Sequence, residues 1–386
     1  MTLLLPLVRR NREPTRVCVV APSLDILGGQ AVQAARLLEH LRTLPGLHVD
    51  LLPVNPRLPG PLRRLQAIKY LRTIVTSIRY FASLFRNVRR YDVLHVFSAS
   101  YVSFLLAPLP AMIVGRLFGK RVVLNYHSGE AEDHLTRWRR TAVPAMRLAH
   151  DIIVPSDYLV AVFARFGLRA RAIPNFVDVG TLPYRERESL RPQFMANRNL
   201  EPLYNVGCAI RAFALVQAEL RDASLTVAGF GRERRKLESL VRELGLRNVS
   251  FVGRVPPERM GALYDAADIY INSSNIDNMP LSILDAFATG VPVVTTDPGG
   301  IPYVVRDGEN GMLVRCGDHE ALAAAALRLL RQPAFARRIA AQARLDCLQH
   351  YVWPAVAAQW MELYAGSVIR AVVISDRPQV VEVGQV

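Results

Sequence analysis

Short runs of apolar and β-branched residues alternate with longer stretches of helical period along this chain of 386 residues. RVCVVAPS (16–23) is nearly continuous in apolar residues, the pattern of a central parallel strand buried on both faces. A loop with Gly28 and Gly29 follows, then helical spacing from Ala31 to Leu44, then HVDLLPV. DVLHVFS, RVVLNYH, DIIVPS and RARAIPN are further strand runs with helical stretches between them. Alternation of this kind predicts a doubly wound parallel sheet. The pattern then restarts with ASLTVAGFG (223–231), NVSFVGRV (248–255), DIYINSS (268–274), VPVVTT (291–296) and NGMLVR (310–315). Polar, aperiodic NFVDVGTLPYRERESLRPQF reads as the linker between the halves. The expected fold class is α/β: one domain over residues 1–175, a second over 176–350, and a cleft between them. Ligands bind such sheets at the carboxyl ends of the strands, so two apposed sheets offer one shared site.

Composition narrows the class. With 51% hydrophobic residues a large core is available, which excludes global disorder. The four cysteines are scattered without metal-ligand spacing, as suits a reducing compartment. MTLLLPLVRRNREPTR places its apolar run ahead of the arginines, the reverse of a secretory signal, so an uncleaved cytoplasmic start is expected. Net charge is +15, and no acid occurs between Asp50 and Asp92 while arginines recur from Arg57 to Arg90. Leu71, Ile74, Ile78, Phe81 and Phe85 fall at helical spacing within that stretch. It reads as a basic amphipathic surface over 57–90 that meets anionic lipid peripherally at the inner membrane; a solvated helix face is the plainer alternative. No nucleic-acid partner is expected, because no binding motif or interleaved aromatic residue accompanies the charge. Uncharged Val93–Gly115 is long enough to span a bilayer, but serines, a histidine and prolines interrupt it, and a strand, a loop and a packed helix are expected instead.

Two places carry candidate chemistry. In VAGFGRER, Gly229 and Gly231 form a turn between strand and helix, where a backbone can approach an anion. In NIDNMPLSILDAFATG, Asp277 precedes a helix opened by Pro280, and Asp285 lies in its first turns. The free N–H groups around Leu281 and Ser282 can hold a phosphate, while flanking carboxylates suit sugar hydroxyls. The same pattern also fits a capping Asp277 and a dipole-favoured Asp285.

The run SSNIDNMPLSILDAFATGVPVVTTDPGGIPYVVRDGENGMLV resembles the donor-binding segment of the retaining glycosyltransferases of family 4. That family has the GT-B fold, two Rossmann-like domains with the active site between them. Its two glutamates, with seven residues between them, are both aspartate here. The resemblance implies that Asp277 binds hydroxyls of the transferred sugar, that Asp285 binds the ribose, and that the helix start between them takes the diphosphate. RNLEPLYNVGCAIRAFALV resembles the segment with an arginine and a lysine for the diphosphate. Arg198 matches the arginine, but the lysine position reads LYNV, and Arg232 is the alternative cation considered. Gly28 and Gly29 match the family's glycine loop, and His127, at the strand end within VLNYHSGE, matches a residue that contacts the donor sugar. Arg254, in NVSFVGRV, joins the donor-binding set. YVWPAVAAQWMELYAG resembles the closing helix, here 351–370, that crosses back to the first domain; the tail, 371–386, carries no readable function.

The implied reaction moves a sugar from a nucleotide-diphosphate sugar to a sugar or lipid-linked acceptor with retention, in surface polysaccharide or glycolipid synthesis. His127, Asp277 and Arg198 are the catalytic candidates, and no cofactor is expected. No Asp-x-Asp occurs, so no metal is expected either. Alternatives are a nucleotide-sugar epimerase or hydrolase, a non-catalytic nucleotide-sugar-binding or membrane-scaffold protein, and a dehydrogenase using Asp50 as its ribose acid.

Overall fold

The structure is a computed structural model that describes residues 14–25, 28–58, 60, 64, 66, 68 and 71–375, with 365–375 as backbone alone. The expected uncleaved start and the last residues of the tail lie outside the described residues. Strands β1 (Thr15–Ala21), β2 (Leu47–Pro53), β3 (Val93–Ser98), β4 (Arg121–Tyr126), β5 (Asp151–Val154) and β6 (Arg171–Ala172) form one sheet in the order 2-1-3-4-5-6. Strands β7 (Gln193–Asn197), β8 (Ser224–Ala228), β9 (Val249–Gly253), β10 (Ile269–Asn272), β11 (Val293–Thr296) and β12 (Met312–Val314) form a second, in the order 12-11-10-7-8-9. Every pairing between these strands is parallel. Helices join the strands and cover both faces, the two-layer burial that near-continuous apolar strands require.

Strand order reverses between β1 and β3 in the first sheet and between β7 and β10 in the second. At such a switch the connections leave in opposite directions and open a crevice at the carboxyl ends. The loop with Gly28 follows β1, Arg198 follows β7, and the loop with Asp277 follows β10. Both switch points therefore serve one cleft.

One strand departs from the sequence reading. QFMAN, which is β7, is central in the second sheet, yet its first two residues are the end of the supposed linker and it contains no Val, Ile or Thr. Its burial comes from neighbours on both sides rather than from local propensity. The rest of the linker is pinned by buried Asp268, which accepts hydrogen bonds from Arg185 (2.8 Å), Arg187 (3.3 Å) and Arg191 (2.9 Å). Burial pushes its carboxyl up, but the hydrogen bonds from Arg191 and Arg185 outweigh that and hold it at about 2.

The final helix, Trp353–Ser375, returns to the first sheet, where Val356, Trp360, Leu363 and Tyr364 pack with Val17, Val19 and Val93. Asn125 Nδ2 donates to His95 Nε2 at 2.9 Å, so the neutral ring carries its proton on Nδ1 and donates it to Tyr364 Oη at 2.5 Å. Burial pushes His95 down to about 3 and keeps it neutral.

Residues 93–117 fold as β3 and two helices, Tyr101–Leu106 and Pro108–Leu117. No helix among the described residues is long and apolar enough to cross a membrane. Helix Leu71–Asn87 buries Tyr80 and Leu84 and leaves Ile74, Ile78, Phe81 and Phe85 exposed. Arg63, Leu65 and Lys69 of the basic stretch lie outside the described residues.

Candidate active site

The helix Leu281–Thr289 begins at Pro280, and its residues from Ser282 to Thr289 are all buried. Proline stands at the cap, one position earlier than the sequence reading placed it, and leaves the amides of Leu281 and Ser282 as free helix-start donors. The loop ahead is fixed from below by glycine. Gly299 has φ +55, and a Cβ there would collide with the Asp277 carbonyl oxygen, so the backbone carrying Asp277 rests directly on it.

Asp277 pairs with Arg198 and accepts from the Asn278 amide at 2.9 Å. Arg198 also donates to Ser282 Oγ at 3.3 Å and lies over the ring of Tyr204, 4.1 Å from its centre. Burial disfavours the Arg198 charge, but Asp277 more than compensates and raises its pKa above the ordinary value. Beneath, Tyr270 donates to Ser282 Oγ at 2.7 Å and Tyr264 to Ser282 O at 2.9 Å, so buried tyrosines set the helix start.

Asp285 is 5% exposed. Its side chain meets Arg36, from helix Gly29–Arg42 of the first half, at 3.5 Å. Burial raises the Asp285 pKa, and Arg36 only partly offsets it.

These groups line one cleft of about 800 Å³ between the sheets. Gly28, Gly29, His127, Arg198, Gly229, Arg254, Asp277, Pro280, Leu281, Ser282 and Asp285 all face it. His127 stacks on Phe97, with ring centres 5.2 Å apart, and burial pushes it down to about 4, so it is neutral at pH 7. Its Nε2 has no hydrogen-bond partner among the described residues. Neutral imidazole exchanges one hydrogen bond with a ligand and supplies no positive charge.

One expectation and two of the alternatives need correction. Gly231 does not line the cleft: a Cβ there would strike the Leu200 carbonyl, so this glycine serves close packing of the turn. Arg232 points to solvent, 75% exposed, and pairs with Glu201, so it does not replace the lysine. Asp50 lies within β2 and accepts from Tyr91 Oη at 3.1 Å, away from the strand end a dehydrogenase would use.

Four of the cleft residues that the sequence reading missed bear on the chemistry. Tyr204 falls in the segment where the lysine was expected, and Arg36 reads locally as a solvated helix position. Gln33 is 3% exposed and Asn175 6% exposed; each has a side-chain oxygen without a partner among the described residues, and both line the cleft. Gln33 had a signal, because it interrupts the apolar stripe of Ala31, Ala34, Leu37 and Leu41. Asn175, donating to Met279 O at 2.9 Å from the interdomain crossing, had none. Among the described residues no cluster of His, Cys, Asp or Glu could hold a metal ion. A cleft with helix-start amides, one paired arginine and unpartnered amide oxygens suits a ligand with both phosphate and hydroxyl groups.

Comparison with known proteins agrees with this geometry. The family model described as Glycosyltransferase Family 4 matches residues 27–181, and the one described as Glycosyl transferases group 1 matches 187–346. Phosphatidyl-myo-inositol mannosyltransferase of Mycobacterium leprae is 27% identical over 375 residues, covering 90% of this chain and 96% of that one. Sucrose-phosphate synthase from Thermosynechococcus elongatus shares the fold with a TM-score of 0.76 at 21% identity, over 92% of this chain and all of that one. Alr3699/HepE of Anabaena, solved in complex with UDP-glucose, has a TM-score of 0.74 at 18% identity, over 91% of this chain and all of that one. With both halves of the chain matched by family models and the two-sheet fold shared, the protein belongs to the family 4, group 1 glycosyltransferases of GT-B fold.

Proposed function

We propose that the chain transfers a sugar, with retention, from a nucleotide-diphosphate sugar to an acceptor hydroxyl, without a metal ion, at the cytoplasmic face of a membrane. The observation that carries this reading is the helix start at Leu281–Ser282, flanked by Asp277 and Asp285 and backed by Arg198, facing Gly28 and Gly29 across one cleft. The diphosphate rests on the helix-start amides and on Arg198. Asp277 accepts hydrogen bonds from the transferred sugar, and Asp285 accepts them from the ribose. His127, held neutral, hydrogen-bonds the sugar from the first half.

In the reaction the bond between the anomeric carbon and the β-phosphate oxygen breaks, and the acceptor oxygen bonds to that carbon on the same face. The acceptor proton passes to the departing phosphate. Negative charge grows on the diphosphate as the sugar becomes oxocarbenium-like, where helix-start amides and Arg198 favour it electrostatically. UDP-glucose, bound by the Anabaena protein, and lipid acceptors such as the one named for the mycobacterial relative indicate the class of substrates. Exposed Ile74, Ile78, Phe81 and Phe85 beside Arg72, Arg79 and Arg86 support peripheral contact with anionic lipid.

A thermal-shift screen with UDP-, GDP-, ADP- and TDP-sugars identifies the donor, and proton NMR of the product reads its anomeric configuration. Retention is expected, with turnover unchanged by EDTA. An inverted product, or hydrolysis and epimerisation with no acceptor product, would overturn the proposal.

A further inference from the structure

Three arginines and six carboxylates line the cleft, so each cation matters to an anionic ligand. A diphosphate ester brings about two negative charges to the helix start at Leu281–Ser282. Arg198, the cation nearest that start on its own half, is already neutralised by Asp277, and Tyr204 covers one face of its guanidinium. Arg254 follows β9, three strands from β10 in the sheet, which is about 14 Å at ordinary strand spacing. It rests on Phe230, 4.1 Å from the ring centre. On the second half of the molecule the phosphate position thus lacks a compensating charge.

Arg36 comes from the other half and is poorly satisfied where it stands. Its side chain is 18% exposed, and its two hydrogen bonds, to Asp285 Oδ1 and Phe176 O, are both 3.5 Å long. Charge-assisted contacts of this type are normally near 2.7–2.9 Å, and a guanidinium has five donors. The Asp285 carboxylate, buried and with Arg36 its only partner among the described residues, is equally incomplete. Ser282 and Asp285, three residues apart, lie on the same face of their helix about one turn from each other. A guanidinium at Asp285 is therefore one side-chain swing from the helix start.

We propose that Arg36 is the second cation of the diphosphate site. This rests on the donor reading above. When ribose hydroxyls take Asp285, Arg36 gives up its long contact and turns to the phosphates. The charge that holds the leaving group then comes from both halves, and productive donor binding requires them to be closed on each other. Arg36 is in this sense a binding residue for the donor as well as a bridge between the domains.

The test is titration calorimetry of the wild type, Arg36→Gln and Arg36→Lys with UDP, GDP and ADP, and with uridine, guanosine and adenosine. For whichever base binds, Arg36→Gln is expected to weaken the diphosphate about 10- to 100-fold and leave nucleoside affinity unchanged. Arg36→Lys, which keeps the charge but not the planar fork of donors, is expected to lose clearly less diphosphate affinity than Arg36→Gln. Tyr204→Lys added to Arg36→Gln places a cation beside Arg198 and restores the lost affinity. Unchanged diphosphate affinity in Arg36→Gln, equal loss of nucleoside and diphosphate, or the same loss in Arg36→Lys would each overturn the proposal. Should the wild type bind no diphosphate at all, the donor reading itself falls. The unliganded melting temperature, recorded for each variant, separates loss of binding from loss of fold.

Discussion

Asp277 and Asp285 share one helix start, yet their surroundings differ. Asp277 is neutralised by Arg198 and fixed by the Asn278 amide, whereas Asp285 is buried beside one distant arginine and its pKa is raised. For an acid raised in the folded state, the ionised form costs stability at pH values above its ordinary value. Asp285→Asn, which mimics the protonated form, is therefore expected to leave the unliganded melting temperature unchanged or higher while transfer falls at least a hundredfold. A fall in both would make Asp285 a structural residue. Asp268 presents the opposite sign. Its pKa is held at about 2 against an ordinary 3.8, so the stability it contributes is full above about pH 4 and is lost as pH falls toward 2. Asp268→Ala leaves buried Arg187 its backbone carbonyls but takes away its carboxylate, and is expected to cost about 3–5 kcal/mol in urea unfolding at pH 7. The difference from the wild type should shrink as pH falls through that window. A cost that is the same at pH 7 and pH 2.5 would contradict the assignment.

At the scale of the element, legibility followed burial. Strands such as RVCVVA and VVTT are covered on both faces by their own helices, and their apolar content announces it. β7 does not, because QFMAN is made a strand by the neighbours on either side. The helix Leu281–Thr289 was legible from Pro280 and its apolar run, and eleven of the twelve site residues named from the sequence line the cleft. Gly231 does not, since a tight turn and a ligand-approach turn leave the same local pattern. Arg36 and Asn175 gain their places only from the apposition of two sheets, which no local window contains, whereas Gln33 left a local trace as the polar break in an apolar stripe. The helix Leu71–Asn87 shows a related limit: its period is plain, yet only Tyr80 and Leu84 are buried while four large apolar side chains stay exposed beside arginines. If that face meets lipid, replacing Arg72, Arg79 and Arg86 by Glu abolishes cosedimentation with phosphatidylglycerol vesicles at low salt, and the wild type shows no binding to neutral phosphatidylcholine. Retained binding after the charge reversal would end the membrane reading of this helix.

Across the whole molecule, two switch points bring glycine-loop amides and His127 from one half against a helix start, Arg198 and two carboxylates from the other. Neither half alone makes the site. The final helix ties the halves by returning from the second domain into the core of the first, where Trp360 and Tyr364 meet His95. Ligand energy realised only across the cleft stabilises the assembled form, by about 2.7 kcal/mol at a hundredfold excess over Kd. The most direct measurement of the central claim is the thermal shift of the wild type and of Asp285→Asn against the panel of nucleotide-diphosphate sugars. The account predicts that at least one sugar nucleotide raises the melting temperature of the wild type by several degrees and that the same compound leaves Asp285→Asn where it was. A panel that shifts neither protein, or shifts both equally, would contradict it.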